Sequence, residues 1–99
     1  MSIDIAKRRI LERVSLKDLL SEKISFQNRA GRPVGLCPFH NEKSGSFTLY
    51  DDHYYCFGCQ ARGDAIEYIK QTEGLGFIDS LKFLAQKYSI DAPELEELV

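Results

Sequence analysis

The chain has no tryptophan, one methionine and only three cysteines in 99 residues. Three cysteines cannot all pair, so a disulfide framework of the kind that staples small secreted domains is excluded as the organising principle. No apolar run approaches the roughly 18 residues of a membrane-spanning helix, and no apolar segment follows Lys7-Arg8-Arg9 to make a secretory signal. The expectation is a soluble, cytoplasmic protein with no membrane contact. Internal repeats and low-complexity tracts are also lacking. Net charge is only −2, but nine basic and five acidic residues lie in 1–50 against four and ten in 51–99. A basic half can steer a polyanion; solvated helix faces would give the same counts.

A chain of this length makes one small domain whose apolar core is marginal by itself. A structural metal meets that need, and the sequence offers one. Cys37-Pro38-Phe39-His40 and Cys56-Phe57-Gly58-Cys59 form two knuckles of spacing C-x2-H and C-x2-C, with fifteen residues between His40 and Cys56. Zn²⁺ settles into a tetrahedron of soft or borderline ligands, and two short knuckles joined by a hairpin supply four of them. Cys37, His40, Cys56 and Cys59 are thus the expected ligands of one structural zinc. A thioredoxin-like redox pair at Cys56 and Cys59 would need a βαβ context and leaves Cys37 and His40 unexplained. Inert buried cysteines would not be spaced in pairs around Gly58, which suits a tight turn where a Cβ would clash.

Taken in order, the chain reads as helices over 4–23, a zinc ribbon over 24–60, helices over 64–90 and an acidic tail over 92–99, all in a single domain 1–99. In the first part Ile10, Leu11, Val14, Leu16, Leu19 and Leu20 recur at helical spacing. Two short helices should meet near Val14 and Ser15, with Ser15 as an internal N-cap and Lys7, Arg8, Arg9 and Arg13 facing water. Ile24 to Gln27 alternates like a strand, Asn28 to Pro33 reads as a turn, and Val34-Gly35-Leu36 delivers Cys37. A second hairpin pairs Phe47-Thr48-Leu49-Tyr50 with His53-Tyr54-Tyr55-Cys56 around Asp51-Asp52. Gln60 to Gly63 reads as a loop, and Asp64 as the N-cap of a helix through Ala65, Ile66, Tyr68 and Ile69. Gly74 and Gly76 break that helix. A last one carries Phe77, Ile78, Leu81, Leu84, Ala85 and Tyr88 on one face and ends before Ala92-Pro93, and Glu94 to Val99 is a frayed end or linker. The fold class is α+β, a small zinc ribbon of antiparallel β hairpins with flanking short helices.

Gly35-Leu36-Cys37-Pro38-Phe39-His40-Asn41-Glu42-Lys43, Ser46-Phe47, Cys56-Phe57-Gly58-Cys59, Gly63-Asp64-Ala65-Ile66, Phe77 and Leu84-Ala85 together carry a resemblance over nearly the whole chain. The chain resembles the N-terminal zinc-binding domain of bacterial DnaG-type DNA primases. That resemblance implies a ribbon that binds single-stranded template DNA and helps select where an RNA primer starts, in DNA replication. It also implies as partners a primase polymerase domain, in cis or in trans, and a replicative helicase. The polymerising chemistry would lie outside this chain, whose carboxylates form no cluster suited to Mg²⁺. Ser44-Gly45 stands where the family typically has Thr-Pro, and the segment Gly31-Arg32-Pro33-Val34 is short and lacks the aromatic common there.

A sheet that carries aromatics and cations can stack unpaired bases and hold phosphates. Tyr50, Tyr55, Tyr54 and His53 are the aromatic candidates, and Lys43, Arg62, Arg29 and Arg32 the cations. Strand alternation puts Tyr54 and Tyr55 on opposite faces, so one belongs to the core; Tyr55 is the expected exposed one. His53 is an exposed turn residue on this reading and no fifth ligand. Lys43 directly follows the first knuckle and fits the family's Asn-Glu-Lys pattern, which points it at a template phosphate. Two other functions fit parts of the pattern. His40-Asn41-Glu42 with Cys56 and Cys59 imitates the H-x-E and C-x-x-C of zinc deaminases, with Glu42 as acid/base, but Tyr55 replaces the expected proline and Cys37 closes the fourth position. A ribbon whose partner is a polymerase domain or helicase, without nucleic-acid contact, fits the acidic second half.

Overall fold

The computed structural model describes residues 2–41, 43 and 45–96. Contacts group the chain into two compact units, one of residues 1–15 and 65–99, the other Leu16–Asp64.

The first unit is helical. Helix α1 (Ser2–Arg13) has Asp4 in its first turn and Arg13 in its last, each at the end of the helix dipole that favours it. Its Ala6 and Ile10, and Val14 just past its end, follow at intervals of four and are buried. Between α1 and the next helix of this unit the chain passes through the second unit, where α2 is Leu16–Ser21. Helix α3 (Ala65–Glu73) begins directly after Asp64 and buries Ala65, Ile66, Tyr68 and Ile69. It stops at Gly74, whose φ of +67° is the left-handed conformation that closes a helix and that glycine adopts without strain. Helix α4 (Phe77–Lys87) buries Ser80, Leu81 and Leu84, with Tyr88 as its C-cap. The acidic segment expected to fray is instead a short helix, α5 (Pro93–Glu96); Glu97 to Val99 lie outside the described residues.

What orders α5 is visible in its contacts. Leu95 is 2% exposed, and Glu94 receives both arms of the Arg9 guanidinium, at 3.0 and 3.2 Å, while Arg9 Nη1 also donates to the Asp91 carbonyl at 2.8 Å. Arg9, expected to face water, is still partly exposed but is engaged by this acidic segment. Lys7 likewise sits over the Phe77 ring, 5.8 Å from its centre. Helical spacing identified the apolar stripe, but it carries no information about which charges a distant acidic segment will meet.

The second unit holds α2 and a five-stranded antiparallel sheet in the order β1 (Gln27–Arg29), β2 (Arg32–Gly35), β3 (Phe47–Leu49), β4 (Tyr54–Cys56), β5 (Arg62–Gly63). The first hairpin is tighter than the composition suggests. Ala30 and Gly31 both have positive φ, 54° and 84°, so the turn needs only these two residues, and Asn28 Oδ1 accepts from the Gly31 amide at 2.9 Å. Arg29 and Arg32, expected in the turn, are consequently strand residues facing each other. Ile24, expected in the first strand, instead closes α2 through its amide to the Leu20 carbonyl and is buried. In the second hairpin the Tyr50 amide bonds the His53 carbonyl at 2.8 Å around Asp51 and Asp52. Residues 62 and 63, expected in a loop, form the edge strand β5, pairing Tyr55 with Arg62. Their signal is too short to separate from loop sequence.

One side of the sheet carries the core, while on the other Thr48 of the central strand is also buried. Phe47, Leu49, Tyr54 and Cys56 are at most 2% exposed. Phe47 and Tyr54 stack with ring centres 5.0 Å apart, and Phe39 lies 6.1 and 6.0 Å from the two. No helix of the described residues is long and apolar enough to cross a membrane. Chiefly through its hydrogen bonds, Arg9 holds the Glu94 carboxyl below its ordinary value. A depressed carboxylate adds stability above its unfolded pKa and loses it as pH falls through its folded one. Glu94→Gln should lower the melting temperature at neutral pH, and the gap from the parent should close under acid, as thermal unfolding across pH would read.

Candidate metal centre and the sheet face beside it

Each knuckle is delivered by a strand. Cys37 follows the end of β2 and is buried, and the turn after it brings His40 back. The Phe39 amide donates to Cys37 Sγ at 3.4 Å, which fixes that turn around the sulfur. Cys56 is the last residue of β4 and is fully buried. The chain then turns through Phe57, Gly58 and Cys59, tied by Phe57 N–H to the Ser46 carbonyl at 2.9 Å and Gln60 N–H to the Cys56 carbonyl at 2.8 Å. Gly58 is required here for space. A Cβ would lie 2.9 Å from both His40 Nε2 and Ser46 Oγ.

The ligand atoms of Cys37, His40, Cys56 and Cys59 all lie within 4.8 Å of one another. Cys37 Sγ and Cys59 Sγ are 3.8 Å apart, which matches the edge of about 3.8 Å that Zn–S bonds of about 2.3 Å give a tetrahedron. No disulfide joins the cysteines. Burial, the largest cause, pushes the Cys37 thiol up to about 12, and a cation beside the sulfur would favour its ionised form. At Cys56 burial also opposes ionisation, but the Ser46 hydroxyl at 3.4 Å and the Cys59 and Gly58 amides outweigh it and leave this thiol below its ordinary value. Three sulfurs and one imidazole gathered within 4.8 Å fit zinc. Bound there, zinc would cross-link the ends of β2 and β4. Four protein ligands leave no position for an activated water, which removes the chemistry a deaminase needs; Glu42 lies outside the described residues.

Beside this centre the register sorts the expected nucleic-acid residues. Partners directly opposite in a ladder share a face, as do alternate residues along a strand. One row runs Gln27, Val34, Thr48, Tyr55, Arg62 across all five strands. The next row on the same face pairs Arg29 with Arg32 and continues to Tyr50 and His53. Arg32 lies 4.3 Å over the Tyr50 ring, and His53 stacks on Tyr50 at 4.7 Å, 7° from parallel. His53 Nδ1 is 2.8 Å from Asp52 Oδ1. Arg29, Arg32, Tyr50, Tyr55 and Arg62 thus share one side of the sheet, while Tyr54 is core at 1% exposure. Lys43 is exposed in the loop after the first knuckle and has no register position. Sequence reasoning missed Phe57 on this side. It is 64% exposed and meets Tyr55 edge to face at 4.8 Å; continuing the alternation two residues past Tyr55 would have found it.

One zinc per chain is expected by metal analysis. Chelation should abolish hydrogen-exchange protection in β2, β3 and β4 while α3 and α4 keep theirs. Gly58→Ala, which presses a methyl on the metal-bound imidazole, should weaken zinc retention about tenfold or more in a chelator competition.

The family model described as CHC2 zinc finger, of the DnaG zinc ribbon, matches residues 4–98. A DNA primase of Rickettsia bellii is 40% identical over 87 residues, which are 86% of this chain and 14% of that protein. A DNA primase of Lactococcus lactis is 41% identical over 75 residues, 74% of this chain and 12% of that one. The chain thus spans about one seventh of the length of these relatives. Among solved structures, the Aquifex aeolicus primase, comprising zinc-binding and RNA polymerase domains, superimposes with a TM-score of 0.79 over 85% of this chain and 21% of that one, at 24% identity. Its fold is the one described above. By the family match and the identity to its relatives, this chain belongs to the CHC2 zinc fingers of DnaG-type DNA primases.

Proposed function

We propose that residues 1–99 act as one zinc-binding domain that holds single-stranded template DNA and helps select where a primase polymerase domain starts an RNA primer. The observation that carries this reading is the sheet face with Arg29, Arg32 and Arg62 beside Tyr50, His53 and Tyr55. Among the described strand positions of that face none is acidic. Like charges directly opposite in a ladder destabilise it, so the Arg29–Arg32 pair makes sense as a surface that an anion completes. The template supplies phosphates for the cations and unpaired bases for the rings.

On this reading the domain is a cytoplasmic replication module with its zinc in a structural role, and it makes no primers alone. Its partners are the template, the polymerase domain of the same primase in cis or in trans, and the replicative helicase. Lys43 extends the cationic surface beyond the sheet. Lys43→Ala and Arg29→Ala should keep their zinc and fold. Each should weaken binding of single-stranded DNA and make the salt dependence shallower by about one phosphate contact. Anisotropy titrations over a range of salt read both quantities. Parent-like affinity and slope in both variants would remove this face and the loop from the template surface. No binding by the parent at low salt would favour a protein partner, and template-dependent RNA synthesis by the chain alone would overturn the non-catalytic assignment.

A further inference from the structure

Among the exposed large apolar side chains of the described residues, Phe57 has the greatest exposure, at 64%. It stands between two metal ligands, on the side of the sheet that carries the three arginines. Its surroundings distinguish it from the other rings of that side. Arg32 reaches the Tyr50 ring from β2 and His53 from the turn before β4, so both broad faces of Tyr50 already have neighbours. Tyr55 is half-buried and meets Phe57 at an interplanar angle of 72°. An edge-to-face contact covers at most one broad face of Phe57 and leaves the other to solvent.

We infer that Phe57 is the residue of this face on which a nucleobase of single-stranded DNA stacks. The inference rests on the template-binding reading above and adds a division of labour to it. The Arg32–Tyr50–His53 column serves the sugar-phosphate chain. The ring beside the metal centre, past the other end of β4 from His53, takes a base. The occupant follows from charge: an apolar ring on the face that carries the arginines, with no acidic residue on that face's strand positions, suits a flat, uncharged base on a polyanionic strand. The ring is also fixed before binding. Cys56 and Cys59 hold its backbone on both sides and its amide is bonded to Ser46, so little freedom is lost when a base arrives.

The test compares the zinc-loaded parent with Phe57→Ala, Phe57→Leu and Phe57→Trp in anisotropy titrations, using a short labelled single-stranded DNA and the same strand with abasic sites. Zinc content is measured for each protein. Phe57→Ala and Phe57→Leu are expected to keep their zinc, to lose about tenfold in affinity with an unchanged salt slope, and to lose the parent's preference for base-bearing over abasic DNA. Phe57→Trp should retain both. Leucine keeps an apolar contact with Tyr55, so a loss shared by alanine and leucine but spared by tryptophan is the mark of a stacking ring. If the parent binds and all three variants bind like it, Phe57 stacks no base while the template reading survives. If the parent itself fails to bind at low salt, both fall.

Discussion

Four side-chain atoms within 4.8 Å of one another govern the ribbon unit. Its strands have two to four residues each, and strands so short hold a register poorly when only hydrogen bonds and a small apolar cluster fix them. The Cys3His set acts where this weakness is greatest. It ties the end of β2 to the end of β4, with β3 between them, so one metal would fix the alignment of three strands. Burial of Cys37 and Cys56 and the close approach of His40 to Gly58 shield two of the sulfurs and leave space for the imidazole, while Cys59 stays exposed.

Register converts this constraint into a surface. Because alternate residues point to opposite sides, a slip of one position would turn Phe47, Leu49 and Tyr54 outward and bury Tyr55 and Arg62. Metal, core and arginine face are therefore three results of one alignment. The Arg32–Tyr50–His53 stack and the Tyr55–Phe57 contact lie on neighbouring strands of the same side. A partner that reads either one meets positions set by the same zinc.

The four ligands were legible because the chemistry of zinc needs few residue types at short, fixed spacing. Helices α1 to α4 were legible through apolar periodicity and through breakers such as Gly74. The first hairpin was not: an alanine at φ 54° is an unusual choice for a tight turn, and composition alone widened that turn until it swallowed Arg29 and Arg32. Strand β5 is two residues long and has no pattern of its own. Helix α5 depends on Arg9, more than eighty positions away in sequence, and a run of acids gives no hint of such a partner. Phe57 was hidden because a residue between two ligands is easily read as filler, although its exposure follows from the alternation that already placed Tyr55.

The central claim is that one zinc is held by three sulfurs and one imidazole, with no open position. X-ray absorption spectroscopy at the zinc edge of the loaded protein tests it most directly. The account predicts three sulfur neighbours at about 2.3 Å and one nitrogen at about 2.0 Å, with the multiple-scattering signature of a single imidazole. A shell with an oxygen from water, or with fewer than three sulfurs, would contradict it.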